Sequence, residues 1–236
     1  MVEESRCILI QGDENWKMQV GQNWRELGLG KWNQAEDAKY NFQLHRIKED
    51  NECLWELIVL LIKDHSGRVV NKNDLLNVLI ETYEEQFNKS DRTKQRIKKI
   101  FIKEGKKEIS DALKPGANIE NILTINNYWI TLIDMFILAE KFDLPLIIFG
   151  RWDSKIPSVG VDSIAFNEIE SNETKVSRPY SYLLKIENTK KTKPRFGIMK
   201  YKNRLKIRNN EFPPEALERL LRNKSIRIID EYIFAF

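Results

Sequence analysis

The chain has 236 residues and a formal charge of +4, with 42% hydrophobic and 31% charged residues; that is enough for one sizeable core and too mildly basic to signal nucleic-acid binding by charge alone. No apolar run approaches the roughly 18 to 20 residues of a membrane span, and the start lacks the basic, apolar and small-residue order of a signal peptide. Cys7 and Cys53 are the only cysteines, a count that predicts no disulfide framework and no zinc knuckle and fits a reducing intracellular compartment, cytoplasm or nucleus.

Residues 1–40 read as an extension carrying Trp16, Trp24 and Trp32 in polar, glycine-bearing sequence. Indoles in such a setting either pack on the main body or anchor a partner. Phe42, Leu44 and Ile47 fit a short strand. After a polar bend at Asp50, Asn51 and Glu52, the residues Leu54, Leu57, Ile58, Leu61 and Ile62 recur at helical spacing from Cys53 onward. Asn73 is the expected N-cap of a second helix bearing Leu75, Leu76, Val78, Leu79, Tyr83 and Phe87. Ser90 and Asp91 open a third, in which Ile97, Ile100 and Phe101 form one apolar stripe among Arg92, Lys94, Arg96, Lys98, Lys99, Lys103, Lys106 and Lys107. Its basic face is either solvated or held for phosphates or an acidic partner.

Trp129 precedes a helix from Ile130 to Phe142, and the unalternating run Leu146 to Phe149 predicts a strand covered on both faces. Ser163 to Phe166 is a further short strand in a turn-rich connection. Tyr180 to Ile186 alternates as a strand, and Arg195 to Tyr201 with Arg204 to Arg208 completes a meander. Pro213 and Pro214 introduce a helix over Glu215 to Arg222, and the apolar ending through Phe236 predicts docking on the core or on a partner. The expected class is α+β, with a small central, mainly antiparallel sheet flanked by helices. Residues 41–210 form the core and 211–236 a docked helix and strand.

Cys53 carries the chemistry. A strand, a bend and a helix place it where the helix dipole and unpaired N–H groups favour a thiolate and where loop N–H groups can receive an oxyanion. The same position suits a buried cysteine on a core helix.

The run Asp50-Asn51-Glu52-Cys53-Leu54-Trp55 resembles the catalytic loop of the ovarian-tumour (OTU) family of cysteine deubiquitinases, usually Asp-Gly-Asn-Cys-Leu-Phe. Tyr128-Trp129, the following helix and Leu144 to Phe149 look like that family's tryptophan, helix and central strand. The resemblance implies a papain-like OTU-type fold in a divergent branch, viral or otherwise. It further implies a Cys53 nucleophile, Asp50 supporting the loop, Asn51 and Glu52 in the oxyanion loop, and ubiquitin or a ubiquitin-like protein as partner. It implies no cofactor and no metal.

Two departures matter. The family's histidine opens a late strand, and the matching block here is Arg195-Phe196-Gly197-Ile198-Met199, with arginine in its place. Arginine holds a fixed charge near a thiolate but neither accepts a proton nor donates one readily at neutral pH. Glu52 stands for the family's asparagine, and an acid beside the thiol opposes its ionisation. His65 is too far along the Cys53 helix to serve, about 18 Å at 1.5 Å per residue, and His45 precedes the bend on the strand; both are expected to be surface or structural. The expectation is an OTU-like domain of weak or absent peptidase activity, used for binding or assembly. An active deubiquitinase with another proton-transfer partner and a basic nucleic-acid accessory domain are the alternatives.

Overall fold

The computed structural model describes residues 7–9, 42–48, 51–103, 118–124, 128–151, 162–166, 179–187 and 195–211. Trp16, Trp24 and Trp32, Asp50, the helix expected over Glu215 to Arg222 and the apolar C-terminal ending lie outside these residues.

The architecture is α+β. Strands β1 (Ile8–Leu9), β2 (Phe42–Ile47), β3 (Leu146–Arg151), β4 (Asp162–Phe166), β5 (Tyr180–Glu187) and β6 (Arg195–Tyr201) form a sheet in the order β1-β2-β6-β5-β3-β4. The two-residue β7 (Ile207–Arg208) pairs with the start of β5. β3 runs parallel to β5 and the other described pairs are antiparallel. β1 was not foreseen: Ile8 pairs with Ile47 and Leu9 with Arg46, so part of the first forty residues is an edge of the sheet.

The helices are α1 (Asn51–Ser66), α2 (Lys72–Lys89), α3 (Asp91–Lys103), α4 (Ile119–Leu123) and α5 (Leu132–Phe142). α1 starts two residues before Cys53, and its predicted stripe of Leu54, Leu57, Ile58, Leu61 and Ile62 is buried. The N-cap of α2 is Asn71, not Asn73. The Asn71 side chain accepts from the N–H groups of Asn73 at 2.8 Å and Asp74 at 3.2 Å, while the Asp74 carboxylate accepts from the Asn71 N–H at 2.7 Å. That reciprocal box satisfies donors the helix cannot pair itself. Ser90 caps α3 by accepting from the Thr93 N–H at 3.1 Å, and Ile97, Ile100 and Phe101 are buried.

The main core lies between one sheet face and the helices. Tyr182 and Leu184 of β5, Ile198 of β6 and Ile148 of β3 join it, along with Trp55 of α1, Tyr83 of α2 and Ile133 of α5. The alternate residues Ile147, Leu183, Lys185 and Met199 are buried too. Because successive strand residues face opposite sides, the centre of the sheet is covered on both, as the apolar run of β3 predicts.

Asp134, in the first turn of α5, is fully buried. It accepts from the hydroxyls of Tyr83 (2.7 Å) and Tyr128 (2.9 Å) and from the N–H (2.9 Å) and hydroxyl (3.0 Å) of Thr131. A carboxylate surrounded by donors is tolerated in a core that would reject a bare one.

Candidate functional site

A strand and a helix flank the expected position: β2 ends at Ile47, and Cys53 lies in the first turn of α1, with Asn51 and Glu52, expected in the bend, already helical. Its sulfur is not a free thiol. Cys53 is joined to Cys7 in a disulfide, with the two Cα atoms 5.1 Å apart and 46 residues between them in sequence. Both residues are buried, Cys7 at 0% and Cys53 at 3% exposure. This corrects the expectation of two separate, reduced cysteines. β1 pairs with β2 on the flank where α1 begins, and the Lys48 N–H donates to the Cys7 carbonyl at 3.0 Å. Cys7 is thereby carried to the helix start.

The Glu56 carboxylate of α1 lies 3.0 Å from the Cys7 sulfur. A disulfide sulfur has no hydrogen to give, so in the bonded pair this is a close contact and not a hydrogen bond.

Glu52 does not bear on the sulfur as an isolated acid. It is exposed, and its carboxylate pairs with the Lys72 ammonium of α2 at 2.5 Å, while the same ammonium sits 5.8 Å from the centre of the buried Trp55 ring. Its charge is largely met by Lys72. The backbone of Asn51 opens α1.

Arg195 opens β6. β2 and β6 pair antiparallel as far as Arg46 opposite Gly197. β6 begins two residues before that last pair, at Arg195, and β2 ends one residue after it, at Ile47. On its other side Arg195 pairs with Glu187 of β5. The two sequence blocks singled out for the site thus end on adjacent strands, at one end of the sheet.

No family model matches the chain, and comparison with curated proteins and with solved structures returns no match. The site therefore stands on its own geometry.

The histidines are elsewhere. His65 is in the last turn of α1, its Nδ1 2.8 Å from the Tyr180 hydroxyl. His45 is buried in β2 opposite Ile198, which rules out the surface position and leaves the structural one. Among the described residues no group of three or more His, Cys, Asp or Glu side chains gathers as a metal site, and no helix is long and apolar enough to cross a membrane.

At the far end of α1 a cleft of about 690 Å³ is lined by Asp64, Tyr180, Arg204, Lys206 and Arg208, among others. The Tyr182 hydroxyl donates to Asp64 Oδ2 at 2.7 Å. Burial first, and that hydrogen bond second, push the Tyr182 phenol above the ordinary tyrosine range. Lys206 donates to the Asp64 carbonyl and lies 4.9 Å from the centre of the Tyr180 ring.

Sequence reasoning missed Cys7 as a partner of Cys53. Its signal was faint: the apolar residues that follow it form a strand of only two residues. It also missed the Asp134 cluster, for which Thr131 three positions before Asp134 was a legible capping signature.

Proposed function

We propose that the chain is an OTU-like, ubiquitin-directed domain of papain-like type. It docks ubiquitin or a ubiquitin-like protein, within a larger assembly, and turns over peptide bonds weakly or not at all. The observation that carries the proposal is the register of β2 and β6. The two strands run antiparallel, so β6 begins at the end of the sheet where β2 stops, and α1 with Cys53 follows β2 in the chain; the family's histidine would open β6. A cysteine hydrolase needs that arrangement to pass a proton between a base and the sulfur.

The residue at that position explains the weak turnover. Arginine, unlike histidine, offers no proton acceptor at neutral pH, so acylation lacks its base and release of the amine lacks its acid. A buried, disulfide-bonded Cys53 points the same way, toward docking over steady hydrolysis.

Titration of isotope-labelled ubiquitin with the full chain tests the reading. Saturable shifts confined to one ubiquitin face and the C-terminal tail are expected, and Cys53→Ala should retain them. An unchanged ubiquitin spectrum, with the chain shown to be folded, contradicts the proposal.

A further inference from the structure

We propose that the Cys7–Cys53 disulfide is a redox latch: oxidised, it caps the Cys53 sulfur beneath β1, and a dithiol reductant opens it to give a free Cys53 thiol. What that thiol then meets rests on the ubiquitin-directed reading above; the latch itself does not.

Three observations converge on it. The first is that the two cysteines of the chain are bonded to each other, one of them at the candidate nucleophile's position.

The second is the asymmetry of the two sulfurs. Cys53 sits in the first turn of a 16-residue helix, where the dipole favours a thiolate. Cys7 lies outside that helix, with a Glu56 carboxylate oxygen 3.0 Å from its sulfur, and a carboxylate there opposes departure of a second anion. In thiol–disulfide exchange the sulfur that is the better anion leaves faster. The reductant's thiolate therefore attacks Cys7 Sγ. A bond forms between the reductant sulfur and Cys7, the Cys7–Cys53 bond breaks, and the electron pair departs on Cys53 Sγ. The second thiol of the reductant, once deprotonated, then attacks its own sulfur bound to Cys7 and expels the Cys7 thiolate. The dithiol is oxidised to a disulfide, the cysteine pair takes up two electrons, and the two protons the dithiol gives up go one to the Cys7 thiolate and one to the Cys53 thiolate.

The third is the strand that follows Cys7. The sulfurs are buried, and that strand is two residues long and, among the described residues, paired with β2 at the edge of the sheet. The Lys48 N–H to Cys7 carbonyl hydrogen bond adds to this short ladder. Short edge strands open at little cost relative to a central strand.

The test counts thiols and then measures their reactivity, using the full chain. Denatured with N-ethylmaleimide after air oxidation, the chain should gain no maleimide by intact mass; after dithiothreitol it should gain two. In the native state, iodoacetamide labelling of Cys53, located by peptide mass, should rise at least about tenfold on reduction. In Cys7→Ser it should be as high without reductant. Reduced wild type carries the test if Cys7→Ser fails to fold.

Two maleimides on the oxidised chain, or a Cys53 labelling rate unmoved by reduction, overturns the latch. If iodoacetamide labels Cys53 after reduction but ubiquitin with an electrophilic C-terminus does not, the latch stands and the ubiquitin reading falls.

Discussion

The two ends of α1 are fastened to the sheet in opposite ways. At the C-terminal end, Asp64 and His65 are held by Tyr182, Tyr180 and Lys206 through hydrogen bonds, and the two tyrosines belong to β5, a central strand. At the N-terminal end, Cys53 is held by one covalent bond to Cys7, beside an edge strand of two residues. The first fastening lasts as long as the fold does. The second depends on the electron supply of its surroundings, so the helix stays docked at one end while the other changes state. A site at the head of α1 gains a controllable cover without loss of the helix that positions it.

The largest effect expected is chemical and confined to the N-terminal end. Arg195→His restores a group that exchanges protons near neutral pH, and general acid–base catalysis contributes about 10²- to 10⁴-fold. Hydrolysis of a ubiquitin C-terminal dye conjugate by the reduced chain should rise within that range and acquire a near-neutral limb in its pH profile. No change in rate, with ubiquitin still bound, separates Arg195 from the reacting atoms.

Next is the covalent tie. Removing the disulfide with Cys7→Ala should lower stability by about 2 to 4 kcal/mol in the chain-entropy account. For a chain of this size each kcal/mol is worth about 2 to 4 °C in Tm. Thermal melts of oxidised and reduced wild type should differ in the same direction, and the reduced wild type should match the variant closely. Equal melting of all three would reduce the covalent tie to an ornament.

Tyr182→Phe attacks the other end. It leaves Asp64 without its 2.7 Å donor and should cost about 1 to 2 kcal/mol by urea unfolding, while Cys53 labelling in the reduced state stays unchanged. The sign of its pH dependence follows from the raised phenol. Its stabilisation is complete below the unfolded tyrosine pKa of about 10 and is lost as pH rises beyond that value. Wild type should therefore weaken above about pH 10 more steeply than Tyr182→Phe.

The smallest effect belongs to Lys72→Ala. The Glu52–Lys72 pair is about half exposed, with side chains at 40% and 51%, and exposed pairs contribute about 0 to 1 kcal/mol. A larger loss would mean that the lysine's packing over Trp55 matters more than its charge.

The elements with strong periodicity were legible. β2 and β6 fall on their expected residues, β3 and β5 fall on theirs within two residues, and α1 and α3 start within two residues of where they were expected, because an alternating or helical apolar pattern is local information. Asn71 and Asn73 shared the residue type of a cap, and what decides between them is Asp74 reaching back, a relation between side chains. The cysteine pair was illegible for a deeper reason. It joins positions 46 residues apart through a strand too short to show a period, and a count of two thiols argues for reduction when the partners are unknown. Arg195 was singled out from a resemblance; the structure shows that it opens β6 and pairs with Glu187 of β5.

The central claim is that ubiquitin docks with its tail at Cys53, and intact mass tests it most directly. The reduced full chain, and separately Cys53→Ala, would be incubated with ubiquitin carrying a thiol-reactive group at its C-terminus. The account predicts one ubiquitin added to the reduced wild type, none to Cys53→Ala and none to the oxidised chain. Folded, reduced wild type that gains no ubiquitin would contradict it.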